Sequence, residues 1–174
     1  GLLPQHSLDL SAPVRPVPRS AQYVAPRYTA PVAPAVQPAP ASSEQWLTKG
    51  GRLWKYIVVH HSATARGNAA SFDRSHRVER GWDELGYHFV IDNGAGGPDG
   101  RIEVGSRWTK QKWGAHTGGT PDNEYNNHGI GICLVGDFSH GMPSRAQIVS
   151  LERLVRTLAR RHNIDPSNVI GHRE

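Results

Sequence analysis

The run Gly129-Ile-Gly-Ile-Cys-Leu-Val-Gly136 is apolar at nearly every position, and its reading decides the fold. A strand with one wet face alternates polar and apolar residues, whereas a strand covered on both faces has no reason to. Residues 129–136 therefore predict a central strand in a layered α/β domain with helices on both sides of the sheet.

The neighbouring segments agree. Trp54-Lys-Tyr-Ile-Val-Val-His60 is β-branched and aromatic and predicts another strand. Asn68 to Arg80 carries Phe72, His76 and Arg80 at fourfold spacing, which predicts a helix closed by Gly81. Gly86-Tyr-His-Phe-Val-Ile91 predicts a strand ended by the turn-rich NGAGGPDG, and Ile102 to Val104 a short return strand. After 129–136, Ser144 and Gln147 form a capping-box pair. The helix they open is predicted to place Ile148, Leu151, Leu154, Val155 and Leu158 on one stripe, opposite Glu152, Arg153, Arg156 and Arg160. Asn163 and Pro166 end that helix, and Val169 to His172 predicts a last short strand. The fold class is α/β: a central mixed β-sheet flanked by helices.

Residues 1–43 differ in kind. They hold nine of the thirteen prolines and show no hydrophobic periodicity. Such a stretch cannot close a helix or a sheet ladder, so a disordered Pro/Ala-rich linker is expected over 1–43 and the folded domain over 44–174. No apolar run approaches the roughly 20 residues of a membrane span, so no transmembrane segment is expected. The chain begins at Gly1 without a signal-peptide core, which points to a removed leader or a fragment.

The formal charge of +5 suits an anionic partner, cell-wall polymer or nucleic acid. Nucleic acid is not expected, because the chain lacks a basic-aromatic stripe, a helix-turn-helix pattern and zinc-finger spacing. The single cysteine, Cys133, excludes an intramolecular disulfide.

Of ten histidines, those at the ends of apolar strands are the candidates for chemistry. One is His60 or its neighbour His61, since alternation on a strand lets at most one of the two face a given metal. The other is His172. Catalytic zinc takes three protein ligands and keeps a position for water. Cys133 is a soft candidate for the third, although inside an apolar strand it reads better as a small buried hydrophobe. Glu174, two residues past His172, could offer an oxygen.

Five stretches then carry a resemblance: VVHHSAT (58–64), RGWDELGYHFVI (80–91), GAHT (114–117), NNHGIGICLVGDF (126–138) and GHRE (171–174). In this order, over roughly 120 residues, they resemble the zinc-dependent N-acetylmuramoyl-L-alanine amidases, a group that includes phage lysozyme-type amidases and peptidoglycan recognition proteins. The resemblance implies that His60 and His172 hold Zn2+ and that Tyr87 steadies the oxyanion. It also implies that His116 lines the substrate cleft. His88, alternating with Tyr87, is expected to face away from it.

Some relatives place a glutamate where Cys133 stands, and its absence fits the tyrosine-using branch. The family's third ligand, Cys or Asp, follows eight to ten residues after the second histidine, beyond Glu174, so the chain is expected to be truncated there. The implied activity is cleavage of the amide between N-acetylmuramic acid and L-alanine. The alternative is a binding module that uses the same cleft without cutting. Peptidoglycan or muropeptides are the implied partners, and the Pro-rich segment over 1–43 leads one to expect an extracytoplasmic, envelope-facing location.

Overall fold

A computed structural model describes Trp46 and residues 51–172. The linker expected over 1–43, and Glu174, lie outside the described residues.

Among the described residues, five strands form one sheet: β1 (Tyr56–His61), β2 (Phe89–Ile91), β3 (Ile102–Val104), β4 (Gly129–Leu134) and β5 (Val169–Gly171), in the order β3-β2-β4-β1-β5. Neighbours are parallel except β2 and β3, so the sheet is mixed as predicted. Every residue of β4 is buried, which is what its unbroken apolar run requires. The predicted β1 and β2 were too long at their N-terminal ends: Trp54 and Lys55 precede β1, and Gly86 to His88 approach β2 as irregular chain.

The described residues also form four α-helices, α1 (Ala69–Val78), α2 (Ser106–Thr109), α3 (Glu124–His128) and α4 (Arg145–His162), and short 3-10 turns at Pro121–Asn123 and Pro166–Asn168. Asn68 and Ser71 form a capping box at α1, and Ser144 and Gln147 form one at α4. Asn163 ends α4 in the left-handed conformation (φ 53°), which Asn tolerates better than most side chains. The short α2 and α3 carried no periodic signal and were not anticipated.

The larger core lies on the α4 side, where Trp54, Ile57, Phe89, Ile91, Trp108, Ile130, Ile132, Leu154 and Leu158 pack together. The α1 side holds a small cluster of Leu85, Val90, Cys133 and Val135, with Phe72 and Tyr87 against it.

The stripe predicted for α4 needs correction. Ile148 is exposed, and Gln147 and Ser150 take the inward positions instead. The Gln147 amide donates to the carbonyls of Ile91 and Val135, and the Ser150 hydroxyl donates to that of Gly100. The Val135 and Gly100 carbonyls are satisfied in this way, and the Ile91 carbonyl, which also accepts from the Val135 amide, gains a second donor, which outweighs the loss of an apolar contact.

Candidate functional site

The candidate residues converge at the C-terminal ends of β1 and β5, on the α1 side of the sheet. The register pairs Val59 with Gly171, so His60 and His172 leave adjacent parallel strands at the same level. The His172 amide donates to the Val59 carbonyl at 2.9 Å, and the two imidazole centres are 4.7 Å apart.

His61 turns to the other side, as strand alternation demands. Its Nδ1 accepts from the Phe138 amide and its ring stacks on Phe138. Tyr87 stands with its ring centre 5.3 Å from that of His60, and it hydrogen-bonds the Cys133 thiol. His88 turns inward between Trp54 and Trp108, where its Nδ1 accepts from the Gly131 amide.

His116 arrives from the irregular chain between α2 and α3. Its Nδ1 lies 3.0 Å from His60 Nε2. Asn126 holds that loop: its side-chain oxygen accepts from the amides of His116 and Thr117, and its amide donates to the Thr117 carbonyl. The His116 ring lies directly over Gly131 and Gly114, where a Cβ at either position would overlap it. Two glycines therefore make the space in which His116 reaches His60. His76 supports the other flank, its Nδ1 accepting from the Gly86 amide and its ring 5.7 Å from that of Tyr87.

Burial sets the charge state. His60 is held far below its ordinary pKa, at about 2, by burial and then by the neighbouring His116, His172 and His61. His116 is lowered to about 4 by burial, against a weak opposing hydrogen bond to the Gly129 carbonyl. His88 is lowered to about 3, again by burial first. These imidazoles are neutral at pH 7, each with one lone-pair nitrogen; that of His88 is taken by the Gly131 amide, and His116 is engaged at both nitrogens, by His60 and by the Gly129 carbonyl.

Cys133 packs against apolar neighbours, and burial pushes its thiol up to about 12. A protonated thiol is a poor ligand, so Cys133 behaves as the buried hydrophobe its strand position suggested. Among the described residues, no group of three or more His, Cys, Asp or Glu is arranged to hold a metal ion.

Asn126 and Arg107 carry no functional signal in the sequence, and His76 stands out there only for its helical spacing. Asn126 lies inside a quoted motif, but its hydrogen bonds reach back nine or ten residues, over a loop, a 3-10 turn at Pro121–Asn123 and the start of α3, which no periodicity describes.

A family model described as N-acetylmuramoyl-L-alanine amidase matches residues 50–174. The N-acetylmuramoyl-L-alanine amidase of Sus scrofa is 29% identical over 132 residues, covering 68% of this chain and 20% of that protein. Peptidoglycan recognition protein 1 of Bos taurus is 33% identical over 129 residues, covering 69% of this chain and 62% of that protein. The chain thus spans less than two thirds of either relative. Among solved structures, the endolysin N-acetylmuramoyl-L-alanine amidase of Clostridium intestinale superposes with a TM-score of 0.58 at 29% identity, covering 70% of each chain.

Proposed function

Because the chain belongs to the N-acetylmuramoyl-L-alanine amidase family, we propose that it is a zinc hydrolase cutting the amide between N-acetylmuramic acid and L-alanine of peptidoglycan. The observation that carries this reading is the pairing of His60 with His172 at the ends of adjacent strands, with Tyr87 beside them.

His60 and His172 would supply two of the three protein ligands that catalytic zinc takes, and no third is arranged among the described residues. A Zn–N bond of about 2 Å and tetrahedral angles put the ring centres of two histidine ligands about 5 Å apart, close to the 4.7 Å between His60 and His172. Burial keeps His60 in the neutral form that ligation needs. When bound, zinc supplies Lewis-acid polarisation of the scissile carbonyl and activation of water for attack.

The chain's own residues do the rest. The Tyr87 hydroxyl, in exchanging Cys133 for the substrate, donates a hydrogen bond to the oxygen of the carbonyl as it becomes tetrahedral. His116, fixed by Asn126 and seated over Gly131, forms the cleft wall against which the muramoyl–peptide junction is oriented. The carbon–nitrogen bond then breaks, and L-alanine leaves with a protonated amino group. Peptidoglycan or released muropeptides are the substrate, which sets the protein to work outside the cytoplasm. No helix among the described residues is long and apolar enough to cross a membrane.

A second reading is a recognition module without hydrolysis, favoured by the 33% identity to a peptidoglycan recognition protein. The engaged state of His60, already paired with His116, is compatible with it.

The test is release of free L-alanine amino termini from purified peptidoglycan with added zinc, beside His60→Ala. Zinc-dependent release by the wild type and none by the variant is the expected result. Wall binding without release, unaffected by zinc, establishes the recognition module instead.

A further inference from the structure

Tyr87 and His116 belong to separate irregular segments, residues 82–88 and 110–117, and neither is held in place by the sheet's own ladder. The two segments run side by side. The Ala115 amide donates to the Gly86 carbonyl at 3.0 Å, and a Cβ on Gly86 would collide with the Ala115 carbonyl. Arg107 lies beneath them, with only 2% of its surface exposed. Its Nε donates to the Leu85 carbonyl at 2.6 Å, its Nη1 to the Trp113 carbonyl at 2.8 Å, and its Nη2 to Asp83 Oδ1 at 2.6 Å.

Leu85 is two residues from Tyr87 and Trp113 is three from His116. One rigid planar group therefore grips the main chain on both sides of the site, and the two rings it supports lie nearly parallel, 6.5 Å apart. A charge bridge runs alongside. Glu84, itself buried, accepts from Ser106, Lys110 and Lys112, and Lys112 also pairs with Asp83.

We infer that Arg107 is a positioning residue for the reaction: its guanidinium brackets the Tyr87 and His116 segments so that both side chains meet at His60. Fork geometry is what the role needs. Two carbonyls and a carboxylate in three directions match the guanidinium donors, and a lysine ammonium on a flexible stem cannot span them at once. The inference rests on the amidase reading for its kinetic consequence, but the bracket itself has a signature independent of catalysis.

The experiment compares the full chain with Arg107→Lys and, as a stability control remote from the site, Ser144→Ala. Folding of each is confirmed by cooperative unfolding. Kinetics of amino-terminus release from a soluble muropeptide are measured with zinc, and imidazole nitrogen NMR of the zinc-free proteins reads the hydrogen bond between His60 and His116.

For Arg107→Lys the expected result is a kcat about ten- to a hundredfold lower, with KM changed less than about threefold, because misplacement of order 1 Å costs that much in rate. The hydrogen-bonded imidazole signal is lost as well. Ser144→Ala keeps both kcat and signal. A kcat for Arg107→Lys within twofold of wild type, or an unchanged imidazole signal, overturns the inference. Should the wild type release nothing, the amidase reading fails, and the imidazole signal alone decides on the bracket.

Discussion

His116 Nδ1 lies 3.0 Å from His60 Nε2, so two neutral imidazoles from distant parts of the chain share one hydrogen bond, one donating and the other accepting. The site is thus ordered by a contact across 56 residues of sequence before any substrate arrives. What can be changed around that contact, and what cannot, leads to four expectations.

Replacing Tyr87 by Phe keeps the ring against His60 and removes only the hydroxyl. Loss of a hydrogen-bond donor to an oxyanion lowers kcat by about a hundredfold with little change in KM. Steady-state release from a soluble muropeptide measures it, and a KM effect with normal kcat would assign Tyr87 to ground-state binding.

Gly131→Ala puts a methyl where the His116 ring lies. Overpacking of this kind costs about 1–3 kcal/mol, and here the ring has to yield. A lower urea midpoint accompanied by loss of amide release is expected. Full activity would show that His116 can leave His60 without consequence.

Acid should destabilise the fold. His60, His88 and His116 have pKa values below 6.5 in the folded state and near 6.5 when unfolded, so below about pH 6.5 the unfolded chain binds more protons. Each contributes stability that is present above pH 6.5 and lost as pH falls below it, on the order of 1 kcal/mol per pH unit. Asp92 opposes them: burial and then Glu103 raise it to about 7, so its retained proton favours the folded state on the acid side. His76 and His162 are lowered in the same direction, so the depressed imidazoles outnumber the one raised carboxyl and the net is a fall. Urea midpoints at pH 7.5, 6 and 5 should decrease in that order, and a flat series would contradict neutral burial of the histidines.

Removing the α4 cap with Ser144→Ala frees the Gln147 amide and costs about 1 kcal/mol. Chemical denaturation should register this with amide release per folded molecule unchanged.

Much of this architecture was legible in the sequence because it follows from periodicity. The unbroken apolar run of β4 announced a strand covered on both faces, and Asn163 and the pair Ser144 and Gln147 marked the ends of α4. Ile148 was misplaced for a physical reason. A hydrophobicity pattern cannot know that Gln147 and Ser150 are needed inside to reach the carbonyls of Ile91, Val135 and Gly100, so the first turns of α4 bury polar residues while Leu151, Leu154, Val155 and Leu158 keep the expected face. His60 and His172 were readable as strand-end residues. The pairing of His60 with His116 was not, since it depends on an irregular loop held by Asn126 and on a gap provided by Gly114 and Gly131. Arg107 gave no signal at all, because a buried cation among carbonyls looks in one dimension like any surface arginine.

One consequence of the strand order concerns motion. Among the described residues, β1 is hydrogen-bonded on both sides, whereas β5 is a three-residue edge strand paired to β1 alone. His60 therefore sits on a part of the sheet that opens only with global unfolding, and His172 on a part that can fray by itself. A ligand gripping both rings must first catch the frayed edge and would then rivet it down, so slowed amide exchange at Val169 to Gly171 would report occupancy of the site without reference to catalysis.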